Sequence, residues 1–501
     1  MKNFLKICLA AVAFVSITSC EDDLSPPMNT EDPITVGPDL NAFGLTTTNE
    51  LVAFNAKSPA TFSSKIAVSG LGTGEKLLSI DFRPATGELY AVSDASKFYV
   101  INTQTAAARS IGGAFTPAIS GAIASIDFNP TVDRIRLVTN AGQNLRLNPE
   151  TGAVAATDGS IVTTSSITGV AYTNSKSGAT STTLYDIDAT SGKLFKQNPP
   201  NNGTLEEVGS LGFTFTGQAA FDISPDNSAA LMSATSGTKN NLYKVNLETG
   251  KAENLGALSQ KIIDLAIPTE PVAYAVDNMN MLQIFNPMNP MPVSKAITGL
   301  QAGENILGID FRPLNGQLYA LGSSSRIYTL NLGTGAATAV GSQLPTLLVG
   351  SDFGFDFNPT VDRIRVVSDL GQNLRLNPLD GTISAIDGMI NPGTPTLSGA
   401  AYSENFAGAT TTSLFVIDHN TDKLYLQSPP NNGVLVERGA LGINITNSNG
   451  FDIGSTSNKA YLLATVNSEN KIYSVNTTTG AASAVSNYPN AVRGFALGLG
   501  F

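Results

Sequence analysis

The chain has 501 residues and a formal net charge of -11, with 14% charged and 42% hydrophobic residues. Ordinary apolar content with so little charge excludes intrinsic disorder, and the acidic balance argues against a nucleic-acid partner, which needs clustered Lys and Arg. A single His and two Cys rule out a two-histidine metal site and argue against a Ser-His-Asp triad.

At the N-terminus, Lys2 and Lys6 precede an apolar run from Ile7 to Val15, then Ile17-Thr18-Ser19-Cys20. A charged start, a short apolar core and small residues before a cleavage point describe a secretory signal, too brief to span a bilayer. Cys20 after Ser19 resembles the lipobox of bacterial lipoproteins, in which the Cys becomes the lipidated first residue. Residues 1–19 are therefore expected to be a signal peptide and 20–41 a flexible acidic tether opening on Glu21-Asp22-Asp23. That acidic cluster resembles the surface-export signal of lipoproteins in some Gram-negative lineages. The expected location is the cell envelope, at the outer membrane and surface-exposed, with the membrane contacted through the lipid on Cys20. Cleavage would remove Cys8, so no disulfide is expected.

Beyond the tether the chain repeats itself. Asp127 to Arg136 (D-F-N-P-T-V-D-R-I-R) recurs letter for letter from Asp356 to Arg365, about 230 residues further on. Asp81-Phe82-Arg83-Pro84 recurs at Asp310 to Pro313, and Pro199-Pro200-Asn201-Asn202-Gly203 at Pro429 to Gly433. Each half divides again. Lys76 to Gly112 reads as four short strands, Leu77–Asp81, Glu88–Ser93, Phe98–Asn102 and Ala107–Ile111, with Gly-, Pro- and Asn-rich turns between them. Similar units follow at 122–160, 166–210 and 217–257, then at 304–342, 350–388, 396–441 and 447–486. Units of about 40 residues with four antiparallel strands are the arithmetic of a β-propeller blade.

The first unit, Phe43 to Leu71, shows only three strands, as does Val272 to Ile297. Lone strands are left at Ile262 to Ile267 and Val492 to Leu499. Such a strand closes a propeller by pairing into the blade at the other end, which removes an exposed edge. The expectation is all-β: two tandem five-bladed propellers over 42–268 and 271–501, joined near Pro268 to Pro271, with one ten-bladed ring as the alternative.

The repeated F-N-P-T-V-D-R-I-R segments, the following Gly142 to Pro149 (G-Q-N-L-R-L-N-P) and its twin Gly371 to Pro378 resemble the bacterial family catalogued as domain of unknown function 4394. The resemblance covers nearly the whole chain after the tether, once per half. It implies that each half folds by itself, which favours two propellers, and it implies no activity.

The D-R-I-R strands carry the main candidate site. Asp133, Arg134, Arg136, Asn144 and Arg146, with their twins Asp362, Arg363, Arg365, Asn373 and Arg375, are read as two clusters of guanidiniums and amides. Forked hydrogen bonds from such a cluster suit a carboxylate, a sulfate or a uronic acid. The competing reading is an Arg-Asp network that pins one blade to the next. The repeated strand-end carboxylates Asp81, Asp127, Asp222, Asp310, Asp356 and Asp452 invite a glycosidase reading, but recurrence in sister blades suits acceptors for backbone N–H in the following turn. Pro199 to Gly203 reads as a hairpin loop, and His419, which replaces Ala189 of the first half, as an exposed turn residue. No catalytic residue, metal site or cofactor is assigned. The expected function is a binding or assembly module for an anionic glycan or a surface protein. The alternatives are a carbohydrate-active hydrolase or lyase and a structural envelope protein.

Overall fold

The computed structural model describes residues 33–162, 164–446 and 449–501; the signal, Cys20 and the acidic start of the tether lie outside the described residues. Among the described residues there is no α-helix, and the strands form ten four-stranded antiparallel sheets. The blade expected at Lys76 to Gly112 is built from Leu77–Phe82, Leu89–Ser93, Phe98–Ile101 and Ala108–Ile111.

Each half closes with its own last strand. Ile262–Ala266 pairs with Asn41–Thr46, so the first blade takes its innermost strand from the end of the half and the other three from its start. Val492–Leu497 pairs with Ala273–Asp277 in the same way. The innermost strands then follow one another around two separate rings. In the first, Ile262–Ala266 is followed by Leu77–Phe82, Ala124–Asn129, Ile167–Tyr172 and Thr216–Ile223, which returns to Ile262–Ala266. In the second, Val492–Leu497, Ile306–Arg312, Phe353–Asn358, Leu397–Tyr402 and Asn449–Ile453 close likewise. The chain is thus two five-bladed propellers in tandem, and the single ten-membered ring is excluded.

Burial follows position in the blade. Inner strands such as Ile167–Tyr172 are buried along their whole length, because a neighbouring blade covers each face. Outer strands such as Phe62–Ala67 and Val154–Thr157 alternate half-buried and exposed residues, the period of a pleated strand at the rim. The core is therefore a set of wedges between blades. In one, the Tyr90 ring meets Phe128 edge-on at 5.1 Å; in the equivalent wedge of the second half, Tyr319 meets Phe357 at 5.1 Å.

The two channels differ at one level of their inner strands. In the second ring every inner strand places a glycine there: Gly308, Gly354, Gly399, Gly450 and Gly494. A Cβ on Gly450 would lie 2.3 Å from that of Phe495, so only glycine lets those strands approach. The first ring has Ser79, Ser125, Gly169, Ala220 and Asp264 at the same level. There side chains bridge the strands: Ser79 Oγ accepts the Ile126 N–H at 2.9 Å, Ser125 Oγ that of Val170 at 3.1 Å, and Asp264 that of Ile80 at 2.9 Å.

Residues 34–501 form one compact unit, and polar contacts join its halves. Arg83 donates to the Gly316 carbonyl at 3.1 Å, the Gly500 N–H to Thr86 O at 2.7 Å and the Tyr274 hydroxyl to Ala85 O at 2.9 Å.

Candidate functional site

Arg136 lies in the strand Arg134–Thr139 and is 2% exposed. Its guanidinium donates to Asp158 at 2.6 Å, Asn201 at 2.7 Å, Asn144 at 2.8 Å and Tyr172 at 3.3 Å. Arg146, directly across the sheet from Arg136, forks onto both oxygens of Asp158 at 2.8 and 2.9 Å. Asn144 donates to the carbonyls of Gly159 and Pro200. The second half repeats the arrangement: Arg365 holds Asp387, Asn373, Asn431 and Tyr402, and Arg375 forks onto Asp387. Burial pushes the Asp158 carboxyl up, but the bonds from Arg146 and Arg136 outweigh it and hold it below the usual carboxylate range. These contacts tie one blade to the Pro-Pro-Asn-Asn-Gly loop of the next, and they engage the donors that an anion would need.

Asp133 and Asp362 do not join these clusters. Each sits in the turn before its strand at φ 50° and 51°, facing the preceding blade. Asp133 accepts a fork from Arg83, and Asp362 from Arg312. Arg83 is fully buried and also lies 3.5 Å from Glu150. Arg134 and Arg363 are half-buried and donate to the carbonyls of Asp133 and Asp362. Sequence reasoning overlooked the central acceptors, Asp158 and Asp387. The signal was a recurring Asp-Gly, Asp158-Gly159 and Asp387-Gly388, at the same place in each half. It also overlooked that the exposed Asn201 and Asn431 turn their Oδ1 to Arg136 and Arg365: their loops are 3-10 turns, Pro200–Asn202 and Pro430–Asn432, closed by Gly203 and Gly433 in the left-handed region.

One neighbour of Arg136 has no twin. Asp186 is fully buried, both its oxygens lack a hydrogen-bond partner, and Val416 occupies its position in the second half. Burial raises its carboxyl well above the usual range, against the pull of the Arg136 charge. A buried unpaired polar group costs about 1–3 kcal/mol. Asp186→Val should accordingly raise stability by about that amount in denaturant titration, with Val416→Asp losing a similar amount.

The repeated strand-end carboxylates converge in the channels. Oxygens of Asp81, Asp127 and Asp222 lie within 4.8 Å of one another, as do those of Asp310, Asp356 and Asp452, and all six residues are buried. These are the groups that would hold a cation in either ring. Their backbone partners lie chiefly in the next blade, not in the turn that follows each strand. Asp81 accepts the Phe128 N–H at 2.8 Å, Asp127 that of Tyr172 at 3.1 Å and Asp222 that of Ile267 at 2.6 Å. Burial, against these N–H donors, pushes Asp222 up to about 8 and Asp264 and Asp452 to about 7. Burial and the neighbouring carboxylates raise Asp81, Asp127, Asp310 and Asp356 as well.

His419 is half-buried rather than exposed, and its Nδ1 is enclosed without a partner. Its N–H donates to Thr396 O, which draws the turn against the blade.

A cleft of about 800 Å³ lies between the propellers. Phe43, Phe82 and Leu89 of the first half form one wall, Asn405 and Phe406 of the second form another, and the linker Pro268–Val272 and Phe501 complete it. Sequence reasoning did not reach this site, because it depends on how the rings meet.

Among the many solved structures that resemble the chain, two illustrate the likeness at low identity. One is PorZ, a bacterial surface component of the type-IX secretion system of Porphyromonas gingivalis, at 14% identity and a TM-score of 0.24. The match covers 92% of this chain, which spans 60% of that one. The other is the dihydro-heme d1 dehydrogenase NirN in complex with DHE, at 9% identity and a TM-score of 0.24, covering 79% of this chain and 72% of that one. No curated protein matches the sequence. The model of the domain of unknown function DUF4394 matches residues 50–266 and again 281–496, one copy in each propeller, and the chain belongs to that family.

Proposed function

We propose that the protein is a lipid-anchored, extracytoplasmic binding module, in which two rigid propellers frame a ligand site at their junction. The cleft between them carries this reading: pockets of a few hundred to about 1,000 Å³, apolar with a few polar groups, are the usual form of ligand sites and favour domain junctions. An anionic ligand on the arginine clusters finds less support, since Arg136 and Arg365 are buried and bonded to protein acceptors. The hydrolase or lyase alternative draws on the channel carboxylates, but these are buried and bonded across to neighbouring blades.

The anchor has its own test. Cells given labelled palmitate should incorporate it into the wild-type protein, while Cys20→Ala should stay unlabelled and leave the membrane fraction. Label on the Cys20→Ala protein would sink the anchor. For the binding reading, substitutions lining the cleft should weaken ligand capture while Glu253→Gln, exposed on the outer strand Ala252–Ala257, leaves it unchanged.

A further inference from the structure

We infer that the cleft takes an uncharged amphipathic small molecule, with an apolar ring body and at least one N–H or O–H donor. This rests on the binding-module reading and specifies its ligand.

The duplication supplies an internal control. Phe43 pairs with Ala266 as Tyr274 pairs with Ala496, which makes Phe43 and Tyr274 equivalent. The loop Asn174-Ser175-Lys176-Ser177-Gly178 likewise corresponds to Glu404-Asn405-Phe406-Ala407-Gly408. At one of these two equivalent seats the protein fills the space. The Ser177 and Tyr274 hydroxyls meet at 2.7 Å, Tyr274 donates to Ala85 O, and Gly178 lies against Val293 and Ile284. At the other seat both hydroxyls are missing, since Phe43 and Ala407 replace them. That seat is the cleft. Phe43 and Phe82 stand 5.7 Å apart on its wall, and Phe406 is 37% exposed.

The open seat also holds unanswered polar atoms. Asn405 is 2% exposed, and its Oδ1 has no partner; the buried Thr269 Oγ1 has none either. Leaving such groups unpaired is unfavourable, and an amide oxygen accepts only a donor. The charges on the walls do not favour an anion. Arg109, the cation lining the cleft, donates to Leu314 O and lies 3.5 Å from Glu88, and Glu270 adds a further negative group. Aromatic rings on the wall and an enclosed, unpaired amide oxygen on the lining residue Asn405 together favour a flat apolar body that carries a donor.

N-Phenyl-1-naphthylamine is a suitable probe, with two apolar ring systems and one N–H. 1-Phenoxynaphthalene is its control, with an ether oxygen in place of that N–H. Titration of the full chain with the amine should give saturable binding at one site. Displacement by the ether should be about three- to tenfold weaker, the value of one hydrogen bond. Phe406→Ala, on the cleft rim, should weaken both on the order of tenfold, and Asn405→Leu should erase the preference for the amine. If Asn405→Leu fails to fold, the wild-type ratio of amine to ether decides the matter. No saturable binding of either probe overturns the site and with it the binding reading at the cleft. Equal affinity for amine and ether overturns donor recognition alone. Binding indifferent to Phe406→Ala puts the probe elsewhere and overturns the inference.

Discussion

Arg136→Met should cost the first propeller about 3–5 kcal/mol, because it removes a buried guanidinium that bonds four acceptors at once. Asp158 would lose one of its two guanidiniums, and the Asn144, Asn201 and Tyr172 oxygens would lose a donor. A mutation of that size moves the midpoint of a domain this large by roughly 10 °C. Arg365→Met should do the same to the second propeller through Asp387. Scanning calorimetry of the two single variants is the check, since each substitution should lower the transition of its own ring. The double variant Arg136→Met, Asp158→Asn should lose less than the sum of the singles, because both changes remove the same Arg136–Asp158 bond. Midpoints within a degree or two of wild type would mean that the guanidinium is free for a ligand.

Thermal stability should fall as pH rises from 5 to 8.5. The channel acids carry pKa values raised above the unfolded value of 3.8: about 8 for Asp222, about 7 for Asp264 and Asp452, with Asp81, Asp127, Asp310 and Asp356 also raised. The folded chain therefore keeps protons that the unfolded chain has released above about pH 4. Their contribution is complete below that pH and is lost as pH climbs through 7 to 8. Asp186, Glu88 and Glu150, all raised chiefly by burial, act in the same direction. Groups held low, such as Glu50 at about 2 and Asp158, lose stability only as pH falls into the acid range. Each of Asp222, Asp264 and Asp452 should account for on the order of a few kcal/mol of the change. Asp222→Asn and Asp452→Asn should flatten the profile, each for its own ring. Melting in chelator-containing buffer tests this: a midpoint constant from pH 5 to 8.5 would exclude buried neutral acids. A rise on adding a divalent ion at pH 8 would mean that the carboxylates gather around a cation instead.

The blades were legible because each is a local device. Four short strands with Gly, Asn and Pro turns recur in sequence, and the unpaired strands Ile262–Ala266 and Val492–Leu497 announce where each ring shuts. The repeated Asp was legible as a structural acceptor, but its partner was not: a strand-end carboxylate reads the same whether it bonds its own turn or the next blade. Arg136 and Asn144 were likewise found from the motif, whereas Asp158 reaches them from the end of the same blade's outer strand and Asn201 from the following blade. The cleft was least visible. It arises from small differences between the copies, Phe43 for Tyr274 and Ala407 for Ser177, whose meaning appears only once the two rings are in contact.

The position of the closing strands orders the birth of the molecule. Ile262–Ala266 is innermost in a blade whose other strands, Asn41–Thr46 to Phe62–Ala67, are made first. During synthesis the first ring therefore stays open until residue 266 has emerged. The second waits for Val492–Leu497, which pairs back with Ala273–Asp277. Loss of Val492–Leu497 would leave one finished propeller attached to one that cannot shut, a half-built product that quality-control proteases can recognise by its open edge.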